Sequence, residues 1–244
     1  MIALVTGASR GIGRAIAREL GRLGYDLALV GRDPDALAET VSLIREEAAA
    51  GKAEPGCTRQ CCISADLSDP LSAPRIIEET LSQLGGLDVL VNCAGLSQKG
   101  PFTQVTPEEW NRVFAVNARA PFFLCQAALE PLKRAEKPIV INISSVVGFK
   151  GYIEQSVYAS SKHALEGFTK VFAKEVQPFG IRVHLICPGG VATEMVKKMR
   201  PDIDPSELIE PEEIAEIVRF LVTRKGNGTL DKFYIRRYSG LAFD

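Results

Sequence analysis

Ile2-Ala3-Leu4-Val5-Thr6-Gly7-Ala8-Ser9-Arg10-Gly11-Ile12-Gly13 is the stretch whose reading decides the fold. The short apolar run at residues 2–5 reads as a buried strand, and the periodic stretch at about 12–23 reads as an amphipathic helix. Between them stand Gly7, Gly11 and Gly13. Glycine lets a backbone turn sharply and come close to another group. The N–H groups at a helix start, with the positive end of its dipole, favour a phosphate. The spacing is three residues and then one, unlike the common Gly-x-Gly-x-x-Gly fingerprint. An ordinary strand-to-helix turn would look similar in isolation. The strand–turn–helix context makes Gly7, Ser9, Arg10, Gly11, Ile12 and Gly13 candidate contacts of a dinucleotide.

Outward from this turn, short apolar runs alternate with helical stretches. Further strands are expected at 27–30, 62–65, 87–91, 138–143, 181–186 and 232–235. Helices are expected at 34–50, 70–84, 107–134 with a break near Pro121, 156–176 and 212–223. A polar loop covers 51–60. The alternation implies an α/β fold: a doubly wound, Rossmann-type domain with a mostly parallel seven-stranded sheet and helices on both faces. No internal repeat or composition shift marks a second domain, so residues 1–244 read as one unit. A substrate lid is expected at about 193–211.

The end of the second strand bears on which dinucleotide binds. A carboxylate there suits the ribose hydroxyl of NAD, whereas arginine suits the 2′-phosphate of NADP. Val30 is followed by Gly31 and Arg32, and Arg10 can approach the same region. This favours NADP(H) over NAD(H). Asp33 could take the acidic role, but Pro34 behind it suits a first helical position, so Asp33 reads as a helix cap. A solvated loop charge is the alternative for Arg32.

Tyr158 and Lys162 are spaced to share one helical face. A close ammonium lowers a phenol's pKa and suits it to acid–base work on a carbonyl or an alcohol. An ordinary surface helix would also produce such a pair. Ser144 and Ser145 follow the fifth strand, at the sheet edge where a serine can donate to a substrate oxygen. Asn117 lies inside a helical stretch that asparagine does not favour, which points to a packing or polar role.

Composition limits the alternatives. The formal net charge of -1 gives no basic face for nucleic acid, and no basic amphipathic helix suggests a membrane surface. No apolar stretch approaches the ~18 residues that span a bilayer. The opening residues carry no charged leader, so the expected location is cytoplasmic. Six cysteines, Cys57, Cys61, Cys62, Cys93, Cys125 and Cys187, read as free thiols. The cluster of the first three lacks a second Cys or His pair, so no metal site is expected. Lys197, Lys198 and Arg200 suit an anionic substrate or a solvated face.

With these motifs in place, nearly the whole chain resembles the short-chain dehydrogenase/reductase family, in its single-domain branch. Thr6-Gly7, Gly11 and Gly13 are similar to its cofactor turn, and Asp66-Leu67 to its adenine-contacting pair. Asn92-Cys93-Ala94-Gly95 is similar to its Asn-Asn-Ala-Gly motif, with Cys93 replacing the second asparagine. Asn117, Ser145, Tyr158 and Lys162 resemble its catalytic tetrad, and Pro188, Gly189, Val191 and Thr193 its nicotinamide-contacting segment. The resemblance implies that Tyr158 exchanges a proton with the substrate oxygen and that Ser145 holds that oxygen. It implies that Lys162 lowers the tyrosine pKa and binds the ribose, and that Asn117 anchors a relay water. The expected substrate is a small carbonyl or alcohol compound, and the expected assembly a homodimer or homotetramer. Both 3-oxoacyl-acyl-carrier-protein reductases and 3-hydroxy-acid dehydrogenases are similar. The Arg236–Leu241 ending lacks the former group's glycine pair. A non-catalytic NADP(H)-binding sensor is the alternative of another class, and the intact Ser145, Tyr158 and Lys162 argue against it.

Overall fold

The structure is a computed structural model that describes residues 1–53 and 59–240. Cys57 and Leu241 lie outside the described residues, as does part of the 51–60 loop. Seven strands, β1 (Ile2–Thr6), β2 (Asp26–Gly31), β3 (Gln60–Ser64), β4 (Val89–Asn92), β5 (Ile139–Ile143), β6 (Arg182–Pro188) and β7 (Lys232–Ile235), form one sheet. Its order is β3-β2-β1-β4-β5-β6-β7. Every pairing is parallel, from Val5 beside Leu29 and Val91 in the centre to Cys187 beside Tyr234 at the edge.

The connecting helices are α1 (Gly11–Arg22), α2 (Pro34–Ala49), α3 (Ser72–Leu84), α4 (Pro107–Phe114), α5 (Ala120–Arg134), α6 (Ser156–Val176), α7 (Glu194–Met199) and α8 (Pro211–Thr223). Successive strand residues point to opposite faces, so the apolar runs feed two cores. One packs Val5, Leu29 and Ile141 against Ile16 and Leu20 of α1, Leu37 of α2 and Val218 of α8. The other packs Leu4, Val30 and Leu90 against Ile76 of α3, Leu124 of α5 and Phe172 of α6. The same alternation turns Cys61 inward and leaves Cys62 exposed.

Two local details differ from the sequence reading or carry it further. The 107–134 stretch does not break at Pro121. It widens into a π-helical turn at Ala115–Arg119, centred on Asn117, and Pro121 falls in the first turn of α5. Asp33 does cap α2, its Oδ1 accepting from the N–H groups of Asp35 at 3.0 Å and Ala36 at 3.2 Å.

Candidate active site

The chain leaves β1 toward one side of the sheet and re-enters at β4 on the other, so a crevice opens above the ends of these two strands. Thr6 ties the ends together. Its Oγ1 accepts from the N–H groups of Cys93 at 3.0 Å and Ala94 at 3.1 Å. The glycine turn lies against that seam. A Cβ on Gly7 would stand 2.9 Å from Ala94 Cα, and one on Gly13 2.2 Å from the Gly7 carbonyl oxygen. Gly7 and Gly11 also adopt φ of 71° and 56°, which L side chains rarely accept. Helix α1 begins without a side-chain cap or an acidic residue in its first turn, so its first N–H groups are open to an anion.

A cleft of about 560 Å³ spreads from this turn. Gly7, Ser9, Arg10, Gly11, Ile12, Gly13, Arg32, Asp66, Leu67, Ala94, Gly95 and Thr193, all expected from the sequence, line it. Backbone and side-chain hydrogen bonds from Ser68 hold the Asp66 carboxyl below the usual carboxylate range, with Arg32 and Arg112 adding to the effect. Arg112, on α4, was not singled out from the sequence, because helical spacing alone does not say which face meets a cleft. Ser97 and the α7 cations Lys197 and Lys198 also border it. A cradle closed to any Cβ, open helix N–H groups and several cations fit a dinucleotide pyrophosphate.

Six expected cofactor contacts do not line this cleft, Tyr158 and Lys162 among them. Asn92 is buried in the sheet, where its Nδ2 donates to Asn142 Oδ1 at 2.8 Å. Pro188 offers its carbonyl to Ser145 Oγ at 3.4 Å. Gly189 lies on a second pocket, and Val191 is in the core.

The second pocket, of about 190 Å³, holds Ser145 and Tyr158. The Ser145 backbone is extended, and its side chain caps the short helical turn Val146–Gly148 that leads from β5. Tyr158 lies one turn into α6 and is only 8% exposed. Val196 and Met199 of α7, with Arg200 and Ile203 beyond it, form another wall, which fits the expected lid position. Met195 borders both cavities, so the two meet there.

Lys162 and Asn117 lie against Gly95, on the wall of the larger cleft. Lys162 is 3% exposed, and its Nζ donates to the Ile143 carbonyl at 2.9 Å. A Cβ on Gly95 would stand 3.6 Å from that Nζ and 3.5 Å from Asn117 Oδ1. Burial lowers the lysine to about 8, against opposing effects of Cys93 and Cys187. Asn117 pairs with the backbone of Leu96, accepting its N–H and donating to its carbonyl, both at 2.8 Å. It also donates to Ser161 Oγ at 3.0 Å. The amide is thus committed to fixing the segment after β4, while the π turn alters the main-chain pairing around it.

The tyrosine departs from the sequence reading. Burial pushes the Tyr158 phenol up, and a hydrogen bond with Ser145 opposes that only in part. The lysine Nζ stands 6.0 Å from the ring centroid, its donor turned to Ile143. Helical spacing places the two groups on one side, yet burial and not the lysine dominates the phenol.

Residues 1–204 match the family model of the short chain dehydrogenases. The (3R)-3-hydroxyacyl-CoA dehydrogenase of Mus musculus is 34% identical over 232 residues, covering 91% of this chain and 89% of that one. A metagenomic short-chain oxidoreductase solved in complex with NADP is 34% identical, with a TM-score of 0.81 and 97% of each chain covered. An alcohol dehydrogenase from the archaeon Thermococcus sibiricus, complexed with 5-hydroxy-NADP, is 28% identical with a TM-score of 0.87, covering 99% of this chain and 98% of that one.

Proposed function

From the premise that this chain belongs to the short-chain dehydrogenase family, oxidoreductases of alcohol and carbonyl groups with a nicotinamide cofactor, we propose that it is an NADP(H)-dependent carbonyl reductase with Tyr158 as its general acid. The observation that carries this is the meeting of the two cavities at Met195, with Ser145 and Tyr158 on the smaller one. A carbonyl held by these hydroxyls lies beside the larger cleft. When bound, the dinucleotide donates or accepts the hydride.

The chain's own groups do the rest. Gly7, Gly11, Gly13 and the start of α1 hold the pyrophosphate. Arg32 and Arg10 meet the 2′-phosphate, a role that Asp33 does not contest because it caps α2. Ser145 holds the substrate oxygen, and Tyr158 delivers a proton to it as charge develops. Lys162 holds the ribose side of the site from below and takes part in reloading the tyrosine with a proton. Asn117 positions the segment after β4 on which Gly95 and Leu96 lie. The 193–211 segment closes over the substrate. The stacked Trp110 and Phe114, with the exposed Phe122 and Phe123, give α4 and α5 an apolar face suited to a homodimer or homotetramer. No helix among the described residues is long and apolar enough to cross a membrane.

The reading is tested by NADPH consumption over β-keto esters, β-keto thioesters, diketones and quinones, with NADH in parallel. Turnover with NADPH well above NADH is expected. Binding of NADPH without turnover of any carbonyl would instead favour a sensor.

A further inference from the structure

The wall of the Tyr158 pocket is cationic. Lys150, Arg200, Arg236 and Arg237 line it, with no carboxylate among the described lining residues. Arg200 pairs with Asp202 at 2.7 Å and Arg237 with Glu207 at 2.9 Å, so each has a counter-ion set back from the cavity. Arg236 is different. Its Nη1 donates to the carbonyls of Arg237 and Tyr238 at 3.0 Å and of Gly240 at 2.9 Å. Among the described residues no carboxylate pairs with it and none accepts from its Nε or Nη2.

The fold brings these arginines to the pocket through a close seam. Gly189 N–H donates to the Ile235 carbonyl at 2.7 Å. A Cβ on Gly189 would stand 3.3 Å from that oxygen and 3.6 Å from Arg236 Cα. Arg237 crosses Gly190 in the same way, its Cδ 3.4 Å from where a Cβ would be. The two glycines therefore let the backbone of Arg236 and the side chain of Arg237 lie close against this segment, and both arginines line the pocket that holds Ser145 and Tyr158. A guanidinium presents a planar fork of donors matched to an oxyanion. The cavity, about 190 Å³, is also smaller than the roughly 300–1,000 Å³ of typical ligand pockets, which favours a short substrate.

We infer that the substrate is a short oxo or hydroxy acid, whose free carboxylate is bound by Arg236 and Arg237 while its reacting oxygen meets Ser145 and Tyr158. This rests on the carbonyl chemistry proposed above and adds the anionic group that selects among carbonyls. A carboxyl masked as a thioester would present no charge to the guanidiniums.

The test uses the NADPH-loaded enzyme and one short 3-oxo chain in three forms: free acid, methyl ester and N-acetylcysteamine thioester. Wild type should reduce the acid with kcat/KM at least about tenfold above both neutral forms. Arg236→Gln and Arg237→Gln should each shrink that preference by roughly 10- to 100-fold, the scale for losing one charged hydrogen-bond partner. Arg237→Lys, which keeps the charge, should retain part of it. Comparing acid with ester inside each variant separates recognition from a general loss of folded enzyme. A thioester or ester reduced as well as the acid by wild type would overturn the inference and leave the carbonyl reading standing. So would an acid preference that survives in both Gln variants. No NADPH consumption with any form or with other carbonyls would overturn both.

Discussion

Replacing Lys162 with methionine should make the cofactor-free protein more stable while abolishing turnover. The lysine is 3% exposed, and burial lowers its pKa from 10.5 to about 8. A free lysine in the unfolded chain keeps its proton until pH approaches 10.4. Below pH 8 both states carry the charge, and the folded state bears the cost of burying it. Between pH 8 and 10.5 the unfolded chain binds more protons than the folded one, so stability rises with pH across that window. At about 1.4 kcal/mol per pKa unit, the shift represents about 3 kcal/mol at pH 7. Losing the bond to the Ile143 carbonyl returns about 1 kcal/mol of that. The net gain for Lys162→Met is about 2 kcal/mol, or roughly 4–8 °C in Tm for a chain of this size. Thermal unfolding of both proteins at pH 7, 8, 9 and 10 reads it directly. The gap should be largest at pH 7 and close as the wild type sheds its proton. A variant no more stable than wild type at pH 7 would refute the reasoning. So would a gap that stays constant up to pH 10.

Three further outcomes are expected. Tyr158→Phe should lower kcat by about 10²- to 10⁴-fold, the usual reach of general acid catalysis, while NADPH titration shows little change in affinity; near-wild-type turnover would remove Tyr158 from the chemistry. Arg32→Ala should weaken NADPH at least about tenfold and NADH far less, because only the former carries a 2′-phosphate for the guanidinium; equal losses would show that Arg32 does not read it. Gly13→Ala forces a Cβ to within 2.2 Å of the Gly7 carbonyl, so the turn must shift; unfolding should fall by about 1–3 kcal/mol and dinucleotide binding should weaken, and a variant with wild-type Tm and affinity would contradict the close packing described.

The sequence carried the layered fold because its apolar runs and glycines are local signals. Each strand, and each of α1, α2, α3, α6 and α8, came within a few residues of its observed bounds, and α6 and β7 coincide with the expected ranges. The residues at the end of β4 came from the family resemblance, and their seam with the glycine turn appears only in the structure. What escaped depends on a single inserted residue or on distance along the chain. A π turn shifts helical phase once and leaves no periodic trace, so the irregularity was assigned to Pro121 instead of Asn117. Asn92 reads as a cleft residue by position, yet its place on the sheet turns it to Asn142. Arg236 and Arg237 are more than ninety residues from Ser145, and the pairing of β7 with β6 brings them near it. The Tyr158–Lys162 spacing was visible, but burial, which reverses its expected electrostatic outcome, was not.

The wide turn at Ala115–Arg119 also limits how this chain can vary over evolutionary time. Five residues in the wide turn carry the chain about as far round the axis as four in a regular helix, so losing one there would restore regular pairing and leave Leu124, Cys125, Ala128 and Leu132 facing the sheet. A residue gained or lost beyond it, between Ala120 and Leu132, has no bulge to absorb it and would swing those side chains by about 100° out of the core. Gaps among descendants of one ancestral chain should therefore fall at Ala115–Arg119 and not in the helix that follows.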